Sequence, residues 1–99
     1  MTAPRRDEVL QVLRRHKAEF AARYGVTELG VFGSVAKDEA GTESDVDIVI
    51  RVTEPKLFFM VHIKEALEEM LQRPVDIIQY RKAMNPFLKT RIDQDAVYV

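Results

Sequence analysis

Apolar and polar side chains alternate most strictly across residues 45–52, where Val46, Ile48, Ile50 and Val52 take one phase while Asp45, Asp47 and Arg51 take the other. A period of two marks a strand with one buried face, and it turns both aspartates to the opposite face. Two further strands are predicted, over 28–32 (ELGVF) and 75–80 (VDIIQY). In the second, Val75, Ile77 and Gln79 alternate with Asp76, Ile78 and Tyr80. Helical spacing appears over 7–24, with Val9, Leu10, Val12, Leu13, Phe20 and Tyr24 on one broad face, and ends near Gly25, a residue suited to the left-handed turn after a helix. A second helix is predicted over 55–72, with Pro55 in its first turn and Arg73-Pro74 beyond its end. Phe59, Met60, Ile63, Ala66, Leu67, Met70 and Leu71 form its core face. Leu57, Phe58 and Val61 fall on the other side, so either an irregular first turn folds them inward or they form an exposed docking patch.

Shorter signals fill the gaps. Gly33-Ser34 closes the first strand, and Val35-Ala36-Lys37 predicts a helical turn with Ser34 as its N-cap, an arrangement that offers backbone N–H groups to a phosphate. Residues 38–44 (DEAGTES) read as a polar loop. Asn85-Pro86 reads as a cap followed by proline at the first helical position, starting a short helix through Phe87, Leu88 and Ile92. The final AVYV is either a terminal strand or a docking segment. Together these predict an α/β (α+β) fold, a small mixed β-sheet with helices packed on one face.

Composition narrows the function. At 99 residues the sequence is expected to be a single domain over 1–99, with room for one modest core but not for a second lobe. Fifteen basic against sixteen acidic side chains leave a net charge of −1, with no excess to spread along a polyanion, so direct nucleic-acid binding is not expected. With no cysteine, disulfides, thiol catalysis and cysteine zinc sites are excluded together. The N-terminal MTAPRRDEVLQ has no long apolar core and no stretch spans a bilayer, so no membrane association and a cytoplasmic location are expected.

The candidate chemistry lies in the aspartates. Residues two apart on a strand are roughly 6.5–7 Å apart at Cα, so Asp45 and Asp47 can converge on two cations about 3.5–4 Å apart. Such close carboxylates repel unless a cation lies between them, and a divalent metal is the simplest candidate. The bland alternative is a solvated strand face. Against it stand Gly33-Ser34 upstream, Asp76 in an equivalent phase, and apolar residues on the reverse face of both strands. A calcium loop needs more acids and a glycine at fixed offsets, and a P-loop needs Gly-Lys-Ser/Thr after its glycines. A phosphoaspartate hydrolase needs a loop where this strand continues through Ile48-Val49-Ile50. His16 and His62 are too isolated for a zinc site, and His16 reads as a core-edge residue.

Gly33-Ser34, a ten-residue spacer, Asp45-Val46-Asp47 and then Asp76 resemble the nucleotidyltransferase superfamily typified by DNA polymerase beta, most closely its minimal nucleotidyltransferase (MNT) members. The resemblance runs from Gly33 to Tyr80. It implies a polymerase-beta-like nucleotidyltransferase fold, two Mg2+ ions, and ATP as substrate. Asp45 and Asp47 would bridge both ions, and Asp76 would complete the acceptor-side metal and help take the acceptor proton. Gly33 and Ser34 would hold the β- and γ-phosphates. Where many minimal members read Ala-Arg-Gly, this sequence departs with Ala36-Lys37-Asp38. Lys37, Arg51 and Arg81 are candidate phosphate contacts or ordinary solvated surface. Size, acids and the C-terminal NPFLKTRIDQDAVYV resemble antitoxins paired with an all-helical HEPN ribonuclease toxin, which implies AMP transfer to a tyrosine of that toxin. The alternatives are transfer to a small hydroxylated molecule such as an aminoglycoside, or neutralisation of the partner by binding without turnover.

Overall fold

The computed structural model describes residues 3–99. Helix α1 (Arg6–Tyr24) buries Val9, Leu10, Leu13 and Phe20, four of the residues whose spacing predicted it. It stops where Gly25 takes φ 68° and its N–H closes back on Ala21 O at 3.1 Å. Strand β1 (Val26–Phe32) follows, then the single turn α2 (Gly33–Ala36) and strand β2 (Val46–Val52). Helix α3 (Leu57–Leu71) starts two residues later than expected. Pro55 therefore lies before the helix rather than in its first turn, and Lys56 holds the N-cap position. Strand β3 (Val75–Gln79), helix α4 (Pro86–Asp95) and the two-residue strand β4 (Val97–Tyr98) complete the order.

The four strands form one mixed sheet in the order β3-β2-β1-β4. β1 runs antiparallel to β2 and β4, and β2 runs parallel to β3. Parallel neighbours need a crossover connection, and α3 provides it. β4 settles the reading of AVYV, because Gly30 and Val31 pair with Tyr98 and Val97.

Residues in phase with Ile48 and Ile50 on β2 and with Leu29 and Val31 on β1 point into a layer made by α1 and α3, where Leu13, Ile63 and Leu67 are fully buried. Each such side chain contributes about 1.5–3 kcal/mol through burial. The expectation of helices on one face holds for these two. Helix α4 differs: it crosses the other face, where Ile92 packs on Phe32 and Val49 with Ile78, Leu88 and Ala96 around it. Phe32 and Val49 give that face an apolar patch of its own, and α4 covers it. The face of the aspartates is thus half roofed, with Asp47 at the edge of the roof. Leu57 and Phe58 are 77% and 78% exposed, so the first turn of α3 does not fold them inward.

Candidate active site

The site starts where β1 ends. Gly33 has φ 74°, a left-handed conformation in which the chain enters α2 without a linking residue. A Cβ at this position would collide with Asp47 Oδ2 and lie 3.3 Å from Arg91 Nη2, so the glycine also admits two side chains to its face. Because the helical turn begins at Gly33, the N-cap position falls on Phe32 and carries no side-chain cap. Ser34 therefore does not cap the turn as expected. It sits half-buried inside the first turn, with no hydrogen bond from its hydroxyl among the described residues.

The aspartates come next to this turn through strand register. Phe32 pairs with Asp47 across β1 and β2, and Asp47 pairs with Asp76 across β2 and β3. Ile48 and Ile77, one residue further along each strand, pack toward α1 and α3. Asp47 and Asp76 thus share the opposite side, in phase with Val49 and Ile78. Asp45 precedes β2 by one residue and is exposed, as is Asp76, whereas Asp47 is half-buried. Burial pushes the Asp47 carboxyl above the usual carboxylate range, and the charges of Asp76 and Asp45 push it the same way against the opposing pull of Arg91.

Asp45, Asp47 and Asp76 were expected to meet within metal reach. Asp47 and Asp76 share a face and Asp47 senses the charge of both others, but among the described residues no three acidic or histidine side chains stand together as a cage for a metal ion. The donor set nevertheless fits magnesium. It is all carboxylate oxygen, and Asp47 accepts no hydrogen bond among the described residues although it is half-buried beside a glycine that leaves room at its oxygen.

Of the two readings left open for Lys37, Arg51 and Arg81, their exposure agrees with surface residues. Lys37 pairs with Asp95 at 3.8 Å and ties the end of α2 to α4. Arg51 pairs with Glu28 at 2.9 Å and lies over the Tyr80 ring at 4.3 Å. Arg81 lines a cleft of about 760 Å3 along the free edge of β3, with Met60, Ile78, Met84 and Leu88. The cation nearest the Gly33 turn is Arg91, which sequence reasoning did not single out. Its only local signal is its place just before Ile92, and no spacing rule tells that α4 crosses the sheet above the turn.

The departure after Ala36 is accommodated. Asp38 adopts φ 59°, a conformation that aspartate tolerates better than most residues. Its Oδ1 accepts from the N–H of Arg6, the first residue of α1, at 3.3 Å. Residues 38–44 are anchored as well, since Arg73 donates to Thr42 O at 3.1 Å and to Ser44 O at 3.3 Å. The histidines lie away from the aspartates, His16 stacked on Phe20 and His62 on Tyr24.

The chain resembles known proteins in both sequence and fold. Residues 13–99 match the family model described as nucleotidyltransferase domain. Among curated relatives, the protein adenylyltransferase MntA of Thermococcus cleftensis is 37% identical over 94 residues, covering 94% of this chain and 94% of that protein. Among solved structures, one provisionally described as a minimal nucleotidyltransferase superposes with a TM-score of 0.73 at 33% identity, covering 91% of this chain and 92% of that one. A structure of a tri-AMPylated HEPN toxin of Shewanella oneidensis in complex with an MNT antitoxin matches with a TM-score of 0.68 over 94% of this chain and 70% of that one. At 12% identity, it shows likeness of fold alone.

Proposed function

The chain belongs to the nucleotidyltransferase domain family, and from that premise we propose that it is a protein adenylyltransferase antitoxin, transferring AMP from ATP to a tyrosine hydroxyl of a partner HEPN ribonuclease toxin. The observation that carries this reading is the register of the strands. Pairing of Phe32 with Asp47 and of Asp47 with Asp76 puts two carboxylates in a row beside the Gly33-Ser34 turn, on one side of the sheet. A relative that covers nearly the whole chain and is named a protein adenylyltransferase supports the reaction class. The HEPN-bound structure shares only the fold, and its toxin is the kind of partner to test.

Two Mg2+ ions held by Asp45, Asp47 and Asp76 would neutralise the triphosphate and the pyrophosphate that leaves. Gly33 and Ser34 hold the β- and γ-phosphates, the glycine by letting them approach the backbone and the serine by its uncommitted hydroxyl. The acceptor enters over Asp76, on the edge strand and open to solvent. Its hydroxyl oxygen forms the new bond to the α-phosphorus while the bond from that phosphorus to the bridging oxygen breaks. The electron pair leaves with pyrophosphate, and the tyrosine proton passes to the Asp76 carboxylate. Asp47, which burial and its neighbours already penalise as a free anion, gains most from a cation. The protein acts in the cytoplasm on this reading. No helix among the described residues is long and apolar enough to cross a membrane.

The test incubates the protein with ATP, Mg2+ and either the partner toxin or an aminoglycoside, and reads the intact mass of each acceptor. The toxin should gain one or more AMP units, mapped by peptide sequencing to tyrosine. Mass gained by the aminoglycoside instead would replace the acceptor. If Asp45→Asn with Asp47→Asn still protected cells fully from the toxin, neutralisation would be by binding rather than by transfer.

A further inference from the structure

Arg91 stands on α4, one residue before the buried Ile92 that fixes this helix on Phe32 and Val49. Its guanidinium is carried over the sheet to the Gly33 turn, where Nη2 lies 3.3 Å from the position a Cβ would take, and Cζ lies 5.8 Å from the centre of the Phe32 ring. No hydrogen bond or ion pair holds that guanidinium among the described residues. Its neighbours differ in this respect. Lys37 is tied to Asp95, Arg51 to Glu28, and Lys89 to Asp93 at 3.2 Å. An arginine whose five donors are uncommitted, carried by its helix to the Gly33 turn, suits a planar fork on phosphate oxygens.

We propose that Arg91 is a nucleotide-binding residue that grips the β- and γ-phosphates of ATP over the Gly33-Ser34 turn, so that the C-terminal helix completes the polyphosphate site. This rests on the adenylyl-transfer reading and adds to it a specific cation from an element outside the aspartate strands. Lys37, by contrast, pairs with Asp95 at 3.8 Å, a contact between the end of α2 and the helix from which Arg91 reaches in. Arg91 is itself exposed, so its removal leaves the packing of Ile92 intact.

Calorimetry with the intact protein, Mg2+ and a non-hydrolysable ATP analogue tests this, with AMP titrated in parallel. Arg91→Ala should weaken the ATP analogue by about tenfold to a hundredfold, the scale of a charge-assisted hydrogen bond. AMP should bind Arg91→Ala and wild type alike, and Arg91→Lys should recover part of the loss. In the transfer reaction KM for ATP should rise more than kcat falls. Unchanged binding of the ATP analogue overturns the proposal, and so does an equal loss for AMP, which would put Arg91 on the α-phosphate or in the fold. A melting temperature for Arg91→Ala well below wild type would likewise assign it a structural role. If wild type itself binds no Mg-ATP analogue, the adenylyl-transfer reading fails, and that result is distinct from a difference between variants.

Discussion

Replacing Gly33 with alanine separates the geometry of the site from the stability of the fold. The residue sits at φ 74°, which costs an L-residue about 1–2 kcal/mol. For a domain of this size, that lowers the melting temperature by roughly 4–8 °C per kcal/mol. The added methyl would also occupy the space of Asp47 Oδ2 and crowd Arg91 Nη2 at 3.3 Å. Asp47 must then swing away, and a shift of about 1 Å in a reacting group costs on the order of a hundredfold in rate. A control is built into the chain. Gly25 also has positive φ, 68°, and a Cβ there would meet Thr53 Oγ1 at 2.5 Å, at the far end of β1 from the Gly33 turn. Gly25→Ala and Gly33→Ala should therefore melt at similarly lowered temperatures, while only Gly33→Ala loses AMP transfer when both are assayed well below their melting points. Equal activities in the two variants would refute the claim that Gly33 serves the site.

Further outcomes follow from the same geometry. In metal-free buffer, Asp47→Asn should melt at or slightly above wild type at neutral pH. The raised folded-state pKa of Asp47 gives stability that is full below its unfolded pKa and is lost as pH rises through the folded one, so the gap between the two proteins should close as the solution is acidified; a clear drop for Asp47→Asn at neutral pH would contradict this. Asn85 Oδ1 accepts from Phe87 N at 2.9 Å and Leu88 N at 3.3 Å, so Asn85→Ala should cost about 1 kcal/mol in chemical denaturation and weaken ATP binding through the helix that carries Arg91. Leu57→Ser with Phe58→Ser should leave stability within about 0.5 kcal/mol of wild type per site, because both side chains are already in water. A large loss would mean that they pack inward after all.

Much of this fold was legible because strand patterning is local. The alternation of Val46, Ile48 and Ile50 against Asp45 and Asp47 placed the acids on the side away from α1 and α3, and Asp76 between Val75 and Ile77 did the same on β3. Register then had to bring Asp47 beside Asp76, which the parallel pairing does. What local patterning could not supply was the course of α4. Leu88 and Ile92 read as a short apolar stripe, but their partners Phe32 and Val49 lie in other elements, one at the end of β1 and one in the polar phase of β2. Missing that contact left the aspartate face open and hid Arg91. The helical turn starts two residues before its expected place for a similar reason, since capping preference points to Ser34 while the positive φ of Gly33 starts the turn earlier. For the three carboxylates, sequence spacing shows only that their backbones allow them to converge.

The most direct measurement is electron paramagnetic resonance of Mn2+ bound to the protein with a non-hydrolysable ATP analogue, comparing wild type with Asp45→Asn, Asp47→Asn and Asp76→Asn. The account predicts two spin-coupled ions per wild-type chain. It also predicts loss of the coupled signal in the Asp45 and Asp47 variants, and one remaining ion in the Asp76 variant. Mn2+ binding that is indifferent to all three substitutions would contradict the assignment of these aspartates to the reaction.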